Sequence, residues 1–213
     1  MGRLFNLDSP IMRFMSNVAD LAALNLIWLI CCLPVVTIGP ACTAMCYVAR
    51  RIAGGDAPPV LKTFFRAFRE NFRQSLAVFL ILLIPVGLGA AYLLMAVSGG
   101  LDQIPVLKYL CVLAVILIGF VCSYVYPLLA HFDNTVGGTL KNALLLPLAS
   151  PFLALVVTAL NLLPVLLLFI NPELFARCII FWLVIGSALT AVINAKMLRP
   201  FFARLTPGEQ PPE

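Results

Sequence analysis

Long apolar runs alternate with short polar or turn-rich breaks along almost the whole chain. The runs cover residues 18–36, 38–53, 74–97, 106–129, 151–170 and 174–195. The breaks between them read "TIGP", "GGDAPP", "SGGLDQIP", "HFDNTVGG" and "NPE". Most of these runs are long enough to cross a hydrocarbon core about 30 Å thick. No alternation of period two runs through them, so a β-barrel is not expected. Helices satisfy their own backbone hydrogen bonds in lipid. The pattern therefore predicts an all-α, polytopic helical bundle of about six crossings, one domain over residues 1–200, followed by a polar tail from 201 to 213. No internal repeat supports an inverted-repeat architecture.

Composition agrees with the pattern. Of the 213 residues, 62% are apolar and 11% charged, and mean hydropathy is +1.06. One soluble core could not hide that much apolar surface. The first run is preceded by Arg3 and Arg13 and carries no small-residue cleavage site. It reads as a permanent anchor, not a cleaved leader.

Charge supplies orientation. Arg3, Arg13, Arg50, Arg51, Lys62, Arg66, Arg69, Arg73, Lys141, Lys196, Arg199 and Arg204 fall on one set of segments; Lys108 and Arg177 fall on the other. The positive-inside rule puts the twelve in the cytoplasm, with both termini there. An even number of crossings must then separate Arg13 from Arg50. "LPVVTIGPACTAMCYVARR" (33–51) becomes the turn and return arm of a hairpin. The arm from Ile38 to Ala53 would be only about 24 Å long at 1.5 Å per residue, short for a full crossing. Thr37, Gly39 and Pro40 form the candidate helix break, with Thr37 holding a freed backbone group and Gly39 able to take a positive φ. A five-span alternative would put Arg3 and Arg13 outside.

"LKTFFRAFRENFRQ" (61–74) is the most patterned stretch. At 100° per residue, Lys62, Arg66, Arg69 and Arg73 fall within about 60° of each other, and Phe64, Phe68 and Phe72 recur every four residues beside them. A helix with these faces suits the membrane interface, phenylalanines in the acyl boundary and cations near anionic headgroups. It reads as the cytoplasmic end of the next span, anchoring it; the alternative is a docking helix that presents its basic face to a cytoplasmic partner. Nucleic acid is not expected, since the basic patch is small and aromatic residues flank it.

Candidate chemistry is sparse. Asn25, Asn161 and Asn194 are the polar side chains expected at membrane depth, as interhelical contacts or as part of a solute path. Ser187, Ala191 and Ala195 read as a packing stripe. Seven cysteines lie in apolar stretches with no disulfide spacing and read as small hydrophobes. His131 is the single histidine, so a zinc site is not expected. No nucleotide loop, hydrolase elbow or zincin pair is present. A non-enzymatic protein without cofactor is the expectation.

Four stretches together, "NLIWLICCLPVVTIGPACTAM", "FFRAFRENFRQS", "YPLLAHFDNT" and "LKNALLL", resemble the YesL-like family of bacterial membrane proteins in order and spacing, over nearly the whole chain to about residue 200. The shared positions include Thr37, Gly39, Pro40, Phe68, Phe72 and Asn142; relatives more often carry a basic residue where this chain has His131. The resemblance implies a multi-span protein of unknown biochemistry. Association with carbohydrate ABC importers in that family implies an accessory role in sugar uptake, with importer components and membrane lipid as partners. The alternative is a small transporter or channel that uses the broken hairpin as its site or gate. A transporter needs a polar path; an accessory protein can have a dry bundle.

Overall fold

The computed structural model describes residues 10–97, 105–132 and 135–205, and among them it is helical with no strand. The helices are α1 (Pro10–Cys32), α2 (Ile38–Ala53), α3 (Val60–Glu70), α4 (Phe72–Val97), α5 (Pro105–Leu129), α6 (Val136–Ala149), α7 (Pro151–Ile170), α8 (Pro172–Phe181) and α9 (Ser187–Leu205). Arg3, residues 98–104 of one expected external loop, Asp133 and residues 206–213 of the expected tail lie outside the described residues.

Among the described residues four stretches are long and apolar enough to cross a membrane: Met15–Cys32, Phe72–Tyr92, Pro151–Leu168 and Pro172–Ala203. Their outer faces carry exposed apolar side chains such as Ile84, Leu88, Leu155 and Ile180, which only lipid would cover. The expected count of six adds α2 and α5, whose apolar stretch Ile116–Leu129 is shorter. The last crossing is longer than 174–195: α8, a five-residue π-turn (Trp182–Gly186) and α9 run on continuously to Leu205. Residues 201–205 belong to this helix, and Phe202 is buried in the core.

The short α2 lies at the centre, packed against α1, α3, α4, α5 and α9. Gly39, Pro40, Ala41, Thr43, Ala44, Met45, Val48 and Ala49 are all buried. Small residues let the neighbouring backbones approach closely, and a helix sheathed in protein need not match the thickness of lipid. The break before it is a 3₁₀ turn, Val35–Thr37. Thr37 Oγ1 donates to the Cys31 carbonyl at 2.6 Å and lies 2.7 Å from that of Pro34, so it does hold freed backbone groups. Gly39 corrects the expectation: the positive φ among the described residues belongs to Gly55, at 94°. Gly39 is helical, and a Cβ there would stand 2.6 Å from the Ser75 carbonyl oxygen and 2.7 Å from Phe79 Cβ. Contact with α4, not backbone conformation, demands glycine.

Two further expectations change. The amphipathic stretch 61–74 is not one helix: α3 ends at Glu70, Asn71 caps it with its side-chain Nδ2 donating to the Ala67 carbonyl at 3.0 Å, and Phe72 opens α4. Its aromatic face does not lie in lipid. Phe64 is fully buried with Val60 and Ala67 against α2, Phe68 is half-buried, and Phe65 is the exposed ring. The loop expected between 130 and 150 contains α6, capped by Thr135 Oγ1 on the Gly138 N–H at 3.3 Å and buried through Thr139, Ala143, Leu146 and Pro147.

Candidate functional site

A cavity of about 830 Å³ opens among α1, α2, α5, α7 and the α8–α9 helix. It follows α9 from Ala203 to Ser187, about 24 Å of helix. The stretch at Ser187, Thr190 and Asn194, spaced by three and four residues, turns a polar stripe toward it, while Ala188 and Val192 pack into the core beside α2. The residues read as a packing stripe, Ser187, Ala191 and Ala195, all line the cavity, Ala191 being the buried one.

One end is cationic. Arg50, Arg51 and Arg199 line it; among the described lining residues the carboxylate is that of Asp56, which Arg51 Nε already binds at 3.1 Å. Arg50 Nη1 lies 3.0 Å from His131 Nδ1. A guanidinium only donates, so this contact makes Nδ1 the acceptor and puts the ring proton on Nε2. The Arg50 guanidinium also stands 5.3 Å from the centre of the Tyr47 ring, within cation–π range. Tyr47, Arg50 and His131 form the partition to a second cavity of about 350 Å³, reached by Glu70, Asn71 and Gln74.

The walls are aromatic and thiol-bearing: Trp28, Tyr126 and Trp182, with Cys42, Cys46 and Cys122. Trp182 owes its position to the π-turn. Gly186 leaves room for the indole ring, which a Cβ would strike. Asn25, fully buried on α1, donates to the Trp182 and Leu183 carbonyls and accepts from the Ala188 N–H. A π-turn interrupts the regular helical ladder, and Asn25 supplies the partners.

Midway along the α9 wall Asn194 Nδ2 donates to Asn161 Oδ1 at 2.8 Å. Asn194 is 5% exposed and its Oδ1 is buried without a hydrogen-bond partner. Asn161 is exposed on the cavity. An exposed amide at membrane depth is costly unless it meets water, protein or solute. Among the described residues no three His, Cys, Asp or Glu side chains gather as a metal-ligand set.

The structure thus separates the residues singled out in the sequence. Asn161 and Asn194 come together in the cavity, whereas Asn25 works beneath its wall. Thr37, Gly39 and Pro40 lie at the α1–α2 turn and are not among the lining residues. Lys62, Arg66, Arg69 and Arg73 are all exposed on α3 and the start of α4, away from the cavity. The basic rim of Arg50 and Arg199 was not visible as a site, because 149 positions and six helices, α3 to α8, separate the two. Only the polar spacing at 187, 190 and 194 could have pointed to the cavity.

A family model described as a protein of unknown function, DUF624, matches residues 21–93, from α1 through most of α4. The chain is 33% identical over 153 residues to the uncharacterized protein YesL of Bacillus subtilis (strain 168), covering 69% of this chain and 71% of that protein. It is 34% identical over 163 residues to the uncharacterized protein YteU of the same organism, covering 70% and 65%. No solved structure matches.

Proposed function

The chain belongs to the YesL-like family, and we propose that it is a non-enzymatic membrane protein that binds a small organic anion in the cavity along α9, as the solute site of a small transporter or channel. The proposed topology is six crossings of the bacterial cytoplasmic membrane, both termini and the Arg50–Arg199 rim facing the cytoplasm, on the division of basic residues.

The observation that carries this reading is the cavity's charge and lining. Three guanidiniums stand at its rim against one carboxylate that is already paired. Its volume, about 830 Å³, falls within the range of small-molecule sites, and its lining is apolar and aromatic with a few polar groups, as such sites are. A cleft of one sign between low-dielectric walls concentrates ions of the opposite sign.

Native cysteines provide the test. A variant keeping only Cys46, a cavity-lining thiol, is treated from the basic side with an anionic and a cationic methanethiosulfonate. After correction for reactivity with free thiol, the anionic reagent should label about tenfold faster, and Arg199→Gln should reduce the preference. Equal rates, faster labelling by the cation, or no labelling by either would each reject the reading.

A second reading rests on a separate observation, the exposure of Lys62, Arg66, Arg69 and Arg73. That basic face suits a docking surface for an acidic cytoplasmic component of a carbohydrate ABC importer. Copurification lost on replacing all four by glutamine, with insertion intact, would support it.

A further inference from the structure

We infer that His131 is a proton-binding group of the anion site, so that the chain takes up its anion together with a proton. This rests on the anion-binding reading and adds to it a coupled ion.

His131 follows the end of α5 and lines both cavities. Its ring packs against those of Phe132 and Phe202, with centroids at 4.5 and 5.0 Å, so apolar contact sets its place. Arg50 Nη1 stands 3.0 Å from Nδ1, a contact that only the neutral imidazole can accept. A proton on Nδ1 turns that acceptor into a donor and sets two cations against each other. The contact then parts, unless an anion comes between the two groups. An anion only accepts, and there it receives one charge-assisted hydrogen bond from the guanidinium and one from the imidazolium. Proton and anion thus favour each other's binding, and the coupling is reciprocal.

The surrounding charges fix its sign. Cations come from α2 as Arg50 and Arg51 and from α9 as Arg199. Carboxylates come from Asp56, which Arg51 holds at 3.1 Å, and from Glu70 at the end of α3 on the smaller cavity. Tyr47, Tyr126 and the thiols of Cys42, Cys46 and Cys122 complete the titratable groups on the described walls, and phenols and thiols ordinarily ionise only above about pH 8. The three guanidiniums favour a neutral ring in the empty site, and a bound anion offsets them. Imidazole is the side chain that ordinarily titrates near pH 6.5, at about the pH where such a bias decides its charge.

Benzenesulfonate is the probe, because its charge does not change with pH and its ring suits the aromatic wall of Trp28 and Tyr126. Titration calorimetry uses the full chain in phosphatidylcholine nanodiscs, in Bis-Tris, whose charged form is a cation. Binding should be about tenfold tighter at pH 5.5 than at pH 7.5. His131→Gln keeps an acceptor for Arg50 but holds no proton, and should reduce that ratio to less than about twofold. The chain has one histidine, so the unmodified protein, purified without a polyhistidine tag, gives a second readout. Solid-state nitrogen-15 spectra of histidine-labelled protein in lipid should show the imidazole midpoint rising when benzenesulfonate saturates the site. Should His131→Gln fail to fold, those spectra decide. A midpoint that does not rise, an affinity indifferent to pH, or a pH dependence that survives in His131→Gln would overturn the coupling and leave the anion site standing. No binding at either pH would overturn the anion site and this inference with it.

Discussion

Asn25 and Leu183, 158 positions apart, are joined by a 2.7 Å hydrogen bond from the Asn25 amide nitrogen to the Leu183 carbonyl. The same nitrogen reaches the Trp182 carbonyl at 3.0 Å, and the amide oxygen receives the Ala188 N–H at 2.9 Å. One side chain of the first helix thus satisfies three backbone groups where the last helix leaves its regular ladder. Trp182 forms part of the cavity wall, so the cavity's shape depends on a contact outside it.

Replacing Asn25 by leucine leaves those three groups without their partner, at about 1 kcal/mol or more each. Asn25→Leu should lower stability in detergent by about 3 kcal/mol. Asn25→Asp should be nearly as damaging, because a carboxylate accepts from Ala188 but cannot donate to the two carbonyls. Denaturant-induced unfolding measures both; a loss below about 1 kcal/mol for the leucine variant would mean the π-turn holds itself.

Gly39→Val should abolish folded protein, and Gly39→Ala should already cost about 1–3 kcal/mol as overpacking against Ser75 and Phe79. Thr37→Ser keeps the hydroxyl that reaches the Cys31 and Pro34 carbonyls and should be near neutral; Thr37→Val should cost about 1 kcal/mol. Folded yield by size-exclusion chromatography ranks the four. Normal assembly of Gly39→Val would refute the close approach of α2 and α4.

Phe64→Ala empties a fully buried site and should cost about 3–5 kcal/mol. Phe65→Ala, at an exposed ring, should change stability by less than about 0.5 kcal/mol. Replacing Lys62, Arg66, Arg69 and Arg73 by glutamine should leave melting unchanged and weaken attraction to anionic lipid by up to about 1 kcal/mol per charge. Equal destabilisation by the two phenylalanine changes would show that α3 does not pack as described.

A cysteine placed at Asp56, in a background without native cysteines, should react only from the cytoplasmic side, and one at Glu173 only from outside, following the charge division. Labelling position 56 from outside intact cells contradicts the orientation and reverses the side from which the cavity opens.

The hydrophobic pattern alone was enough for the helical membrane class, since lipid requires every span to satisfy its own backbone. It also located the break before Ile38 and the exposed basic stripe from Lys62 to Arg73, which depend on residues close in sequence. It marked Asn25, Asn161 and Asn194 as needing partners, because a buried amide is costly wherever it lies. Which partner each would meet was not legible. A helical pattern specifies which side chains share a face but not which neighbour the face meets, and several apolar faces compete equally in lipid. Only the packed bundle decided that Asn25 would brace the π-turn, that Phe64 would turn inward, and that Gly39 would touch α4. Only there do Arg50 at the end of α2 and Arg199 near the end of α9 close on one cavity whose wall also holds Asn161 beside Asn194, because enclosure is a property of several helices and of none alone.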